Sequence, residues 1–175
     1  DDLIGRILML LKEKGQFDNT VIIYTADHGE MLGEHGMLYN TLMYEESVSV
    51  PFIAHLPEAW TASAWADIPI SLIDLPPTFL DLAGAAPLEG AHGRSLVPVI
   101  NGTEQEAREI YSEMWDTRMI LKDGYKYIED PSWDRPQLFH LAEDPGEVKN
   151  LAAQMPERVE HLSGRIQDWL SRTTL

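Results

Sequence analysis

The stretch TVIIYTADHGEMLGEHG, residues 20–36, holds the two signals on which the fold of this chain turns. Its first part, Val21 to Thr25, is an unbroken β-branched and aromatic run entered through the turn residues Asp18 and Asn19. Such a run predicts a strand buried on both faces, as in a parallel sheet covered by helices. The character then changes at once. Asp27, His28 and Gly29 stand at the carboxyl end of the predicted strand, the place where open α/β sheets collect their functional groups. Upstream, Leu3, Ile4, Ile7, Leu8, Leu10 and Leu11 recur at helical spacing, with Lys12 and Lys14 in the last turn and Gly15 as a stop, so residues 3–14 read as an amphipathic helix. That helix begins without run-up, and the expectation is that an upstream portion lies outside this sequence.

Downstream, Val50 to Ala54 repeats the apolar run, with Pro51 fitting a strand start or an edge. A helix is signalled from Asp74 to Ala83, with Asp74 as its cap, Pro76 and Pro77 in the first turn and Gly84 ending it. Residues 85–102 are rich in Pro and Gly and read as a connector. Beyond them the period shortens: residues 110–115, 118–121, 125–128 and 137–141 read as short strands, and Asp123-Gly124 is a strong hairpin turn. Val159, Leu162, Ile166, Trp169 and Leu170 then line one face of a helix after Pro156. The class is α/β with an α+β tail, divided into residues 1–102 and 103–175.

Composition narrows the function. The chain has 175 residues and a formal net charge of −16, without a basic stripe, which excludes a nucleic-acid binder working by bulk charge. No run of about eighteen apolar residues occurs and no basic-then-apolar leader opens the chain, so neither a membrane span nor a secretory signal is expected. Without cysteine there is no disulfide, thiolate ligand or thiol nucleophile. From Lys14 to Arg94 no Lys or Arg intervenes, while eleven acids do. That interval also holds the densest cluster of His and carboxylate in the sequence.

Asp27 offers the hard oxygen that calcium or magnesium prefers, and His28 an imidazole able to bind a metal or an oxyanion; Gly29 lets the backbone turn sharply. The same pair reads equally as a structural cap of the following turn. Glu30, Glu34, His35, Glu45 and Glu46 follow on a loop interrupted by Gly33 and Gly36. Glu30, Glu34 and Glu46 are expected to meet water, and His35 to shape the loop. His55 and His92 are expected to be packing or surface histidines.

Residues 20–36, together with MYEES at 43–47 and VPFI at 50–53, resemble the sulfatase family of the alkaline phosphatase superfamily. The likeness continues through SLIDLPPTFLDLAG at 71–84, HGRSL at 92–96, DGYKY at 123–127, LFHLAEDPGE at 138–147 and Asn150-Leu151. It implies the C-terminal part of an alkaline-phosphatase-like α/β sheet, followed by a small four-stranded antiparallel sheet packed on a C-terminal helix. It further implies that Asp27 is a ligand of a divalent ion, usually Ca²⁺, and that His28 completes that side of the site. The other ligands and a formylglycine nucleophile would belong to a missing N-terminal sulfatase portion, since the Cys/Ser-x-Pro/Ala-x-Arg motif from which formylglycine is made does not occur here. Thirteen residues after the metal-binding Asp many sulfatases carry a Lys that neutralises the sulfate; here that position is Asn40. The implied activity is hydrolysis of a sulfate ester by the complete protein, this chain alone being inactive. A phosphodiester or phosphonate ester hydrolase of the same superfamily, or a non-catalytic module with a vestigial metal half-site, are the competing readings.

Overall fold

The first helix, α1 (Asp2–Glu13), forms where the helical periodicity places it, and none of its residues is buried. The computed structural model describes residues 1–40, 42–57, 68–104 and 107–173. After α1 the chain enters β1 (Ile22–Thr25), crosses a loop that carries a four-residue helix α2 (Glu45–Val48), and returns along β2 (Phe52–His55). β1 and β2 pair antiparallel, Ile22 opposite His55 and Thr25 opposite Phe52. The strand at residues 21–25 is therefore where it was expected, but its partner runs the other way, and Tyr24 is 47% exposed. An unbroken apolar run reports the chance of burial and carries nothing about the direction of the neighbour. Pro51 lies just before β2, where its missing N–H costs no ladder bond.

Asp74 stands at the N-cap of the helix as expected, but its side chain makes no capping bond there. It ends a short 3₁₀ turn, and the helix α3 (Leu75–Leu82) starts after it. Its carboxylate is completely buried and accepts the backbone N–H of Ser71 and of Arg94, each at 3.0 Å, while the Arg108 guanidinium pairs with it. The cap of the turn is Ser71, with Asp74 as its reciprocal partner. Asp74 thus ties the start of α3 to the connector and to the segment that leads into the second sheet. Thr78 adds to the tie by accepting the N–H of Leu96 at 2.8 Å, and the connector itself contains a further short helix, α4 (Val97–Ile100).

The four strands that follow, β3 (Ile110–Met114), β4 (Thr117–Lys122), β5 (Tyr125–Glu129) and β6 (Gln137–His140), form one antiparallel sheet in sequential order. Asp123 and Gly124 both take positive φ, 52° and 76°, the conformation that a two-residue type I′ hairpin demands. Alternation sorts the side chains cleanly. Ile120, Tyr127 and Leu138 face α5 (Pro156–Thr173) and are buried against Leu162 and Ile166. Met119, Ile128 and Phe139 point to the opposite face, where Met43 covers them with Tyr44 and Val48 alongside. The sheet is consequently covered on both sides, by α5 on one and on the other by the segment that leads into α2. Burying large apolar side chains on this scale stabilises by roughly 1.5–3 kcal/mol each.

Candidate functional site

The site is built where β1 ends. Gly29 passes so close to α2 that a Cβ placed on it would lie 2.0 Å from the carbonyl oxygen of Glu46, and its N–H donates to Ser47 O at 2.8 Å. Only glycine permits that approach. The two preceding residues are thereby held at the surface with their side chains outward: the Asp27 side chain is 88% exposed and that of His28 51%. One oxygen of Asp27 accepts the backbone N–H of His28 at 3.0 Å, and the other lies 3.7 Å from His28 Nε2.

Asn40 joins them from across the loop. Its Nδ2 lies 2.8 Å from both ring nitrogens of His28, and His28 Nδ1 lies 2.8 Å from Gly29 O. The arrangement that satisfies every group has Nδ1–H donating to Gly29 O and the Asn40 amide donating to Nε2. In that state Asn40 occupies the lone pair through which the imidazole would bind a cation. Asn40 is itself anchored, since its carbonyl accepts Ser47 Oγ at 2.8 Å. The structure therefore brings together Asp27, His28 and Asn40.

The chemistry of the donors fits one side of a divalent-ion site. Asp27 presents an exposed carboxylate, the ligand a hard cation selects, beside an imidazole. A calcium ion takes 6–8 oxygens. Among the described residues no group of three or more His, Asp or Glu side chains stands close enough to hold a metal ion. A metal site that included this pair would need further ligands from elsewhere.

The loop around it is more tightly organised than its composition indicates. His35 takes φ 52° and stacks on the Tyr44 ring, centroids 3.9 Å apart, so it shapes the loop as expected. Glu34 is exposed, whereas Glu30 and Glu46 each bury one carboxylate oxygen without a hydrogen bond, contrary to the solvated reading. The close approach at Gly29 brings Glu46 and Ser47 back against the end of β1. His55 stacks on Phe17 at 4.2 Å, a packing role, and His92 is exposed.

Two side chains beneath this loop, Lys126 and Glu147, had no role in the sequence reading. Lys126 on β5 is completely buried, with Nζ 2.5 Å from Glu45 Oε1 and 2.9 Å from Glu147 Oε1. Glu147 Oε2 in turn accepts the backbone N–H of Glu45 at 2.6 Å. Burial pushes the Glu147 carboxyl above the usual carboxylate range, and the Lys126 ammonium pulls it back. The only sequence signal was Lys126 standing where strand alternation calls for an inward residue.

Comparison with known proteins follows the same lines. The sulfatase family model matches residues 1–85. Arylsulfatase K of Danio rerio is 33% identical over 175 residues, covering 93% of this chain and 33% of that protein. Arylsulfatase K of Bos taurus is 33% identical over 183 residues, covering 95% and 34%. A solved structure in complex with its substrate D-glucosamine-2-N,6-O-disulfate superposes with TM-score 0.82 at 29% identity, over 97% of this chain and 38% of its own. The phosphonate monoester hydrolase of Agrobacterium radiobacter superposes with TM-score 0.81 at 27% identity, over 97% and 38%. The chain spans about a third of the length of the curated relatives it matches. Sequence and fold agree: the chain is similar to sulfatases and matches the C-terminal part of their chains.

Proposed function

We propose that this chain is the C-terminal part of a divalent-metal-dependent hydrolase that cleaves sulfate esters, and that Asp27 and His28 form its share of the metal site. The observation that carries the reading is the convergence of Asp27, His28 and Asn40 at the end of β1 in a chain similar to sulfatases. The bound ion, calcium by the resemblance, would act as a Lewis acid toward the ester oxygens and orient the attacking group. Asp27 contributes a carboxylate to that ion. His28 contributes an imidazole whose tautomer is fixed by Gly29 O, so its Nε2 is the atom available to a ligand. Asn40 must then release Nε2 and becomes a neutral hydrogen-bond donor toward the substrate anion. The nucleophile, a formylglycine by the resemblance, belongs to an N-terminal portion that this chain would require as its partner.

A second reading, cleavage of a phosphodiester or phosphonate ester, is favoured by one observation. Asn40 carries no charge where a sulfatase would place Lys, and phosphonate monoester hydrolases from Agrobacterium radiobacter and Silicibacter pomeroyi share this fold, with TM-scores of 0.81 and 0.85. The experiment assays the full-length protein, with calcium, magnesium or manganese, on an aryl sulfate, a phosphodiester and a phosphonate monoester. The proposal expects aryl sulfate to be hydrolysed with the highest kcat/KM. Faster cleavage of either phosphorus ester selects the second reading, and no turnover on any of them selects a non-catalytic module.

A further inference from the structure

We infer that Glu147, backed by Lys126, is a positioning residue for the Asp27–His28–Asn40 site, acting from the small sheet through α2. The inference rests on reading that site as functional. Its path is short and consists of direct contacts. Glu147 is 2% exposed and holds the first residue of α2 by accepting the Glu45 N–H. Lys126, paired across the sheet with Leu121 and Phe139, closes the triangle by pairing with both Glu45 and Glu147. Two residues further along, Ser47 grips the site twice: its hydroxyl donates to Asn40 O and its carbonyl accepts the Gly29 N–H, each at 2.8 Å. Glu46 O fills the space a side chain on Gly29 would need. One helical turn therefore carries the position of the small sheet into the residues on both sides of His28.

Two features argue that geometry, rather than adhesion, is what this cluster provides. A buried ammonium between two carboxylates gives little net stability compared with apolar side chains of the same shape, so its value lies in fixing where its members sit. Glu147 also adopts φ 49°, a conformation unfavourable for a residue with a Cβ, while its carboxylate reaches the Glu45 N–H. The cluster further supplies a completely buried cation, Lys126, to a stretch that has no Lys or Arg from residue 15 to residue 93.

The test uses the full-length protein, stripped of divalent ions by a chelator and labelled with ¹⁵N-histidine. The His28 ring signals are assigned by their loss in His28→Gln, and His140 on β6 serves as the reference. Glu147→Asp, which cannot span both partners, and Lys126→Met are expected each to shift the His28 Nδ1 and Nε2 signals by more than a linewidth and to leave those of His140 in place. The double variant Lys126→Met/Glu147→Gln is expected to restore them, because a neutral amide accepts the Glu45 N–H and donates to the Glu45 carboxylate. His28 signals unmoved in single variants whose melting temperature has fallen would overturn the inference and leave the cluster structural. Should the single variants fail to fold, Ser47→Ala decides: it breaks only the hydroxyl bond to Asn40, and an unmoved His28 overturns the inference equally. Because the reading needs no turnover, an inactive protein whose His28 responds refutes the proposed function alone, and an active one whose His28 does not respond refutes this inference alone.

Discussion

Under the proposed function, Asn40 and a cation would compete for His28 Nε2 at the scale of one hydrogen bond. The amide of Asn40 sits 2.8 Å from Nε2, the atom through which the imidazole would bind a cation. Asn40→Lys would replace that neutral donor with a charge beside the substrate anion. A donor or charge aimed at developing negative charge in a water-poor site contributes a factor of roughly 10²–10³. The expected outcome in the full-length protein is a rise of kcat/KM for an aryl sulfate by about tenfold or more, read from initial rates. A loss on sulfate, phosphodiester and phosphonate alike would place Asn40 outside the substrate pocket. The closest backbone approach in the site gives a second prediction. Gly29→Ala pushes a methyl group against Glu46 O, backbone that cannot step aside as a flexible side chain would. It should lower stability by roughly 1–3 kcal/mol, measured by urea denaturation, and weaken divalent-ion binding to the full-length protein.

Single elements show what a sequence discloses and what it withholds. The strands at residues 110–114, 117–122, 125–129 and 137–140 and the final helix were legible because alternation and helical spacing repeat over several residues, and because Asp123-Gly124 admits one hairpin geometry. α2 and α4 were not legible, since four residues are too few for a period to show. Asp74 takes the cap position that a carboxylate ahead of Pro76 and Pro77 suggests, and only the fold reveals that Arg94 and Arg108 reach its side chain. Asp27 and His28 were conspicuous as adjacent donors after a strand, whereas the contacts from Glu147 and Lys126 to Glu45 span distances in sequence that no local pattern encodes. The edge of the small sheet supplies a pH prediction. The Arg165 guanidinium, bonded to Glu109 at 2.8 and 3.0 Å, is the main cause holding that carboxyl at about 2, with Tyr111 and Lys122 adding to it. A carboxyl lowered from 4.5 binds its proton less readily in the folded state, so its contribution is complete above pH 4.5 and is lost as pH falls toward 2. Glu109→Gln should therefore cost about 1–3 kcal/mol at pH 7 and leave a shallower loss of stability between pH 4.5 and 2, followed by urea denaturation across that range.

At the scale of the whole molecule the two sheets are unequally finished. The four-stranded sheet is covered on both faces, while β1 and β2 stand as a two-strand pair and α1 buries none of its residues. Leu3, Ile7 and Leu10 on α1 are 70%, 60% and 50% exposed, and Ile53 on β2 is 64% exposed. Two strands alone hold together only marginally in water, and open edges invite pairing. Produced by itself, this 175-residue chain should accordingly self-associate at high concentration, and a monodisperse monomer by light scattering would show that the exposed apolar side chains need no cover. Under the proposed function, the same surface would pack against an N-terminal portion supplying the nucleophile and the other ligands, and Asp27 would complete the metal site from this side. The most direct measurement of that account is aryl sulfate hydrolysis by the full-length protein and its Asp27→Ala variant under saturating calcium, with melting temperatures recorded in parallel. The account predicts that activity falls by at least a hundredfold while the metal-free melting temperature stays within about 2 °C, a shift of roughly 0.8 kcal/mol for every 200 residues that unfold together. Retained activity together with a lowered melting temperature would contradict it and reduce Asp27 to the cap of a turn.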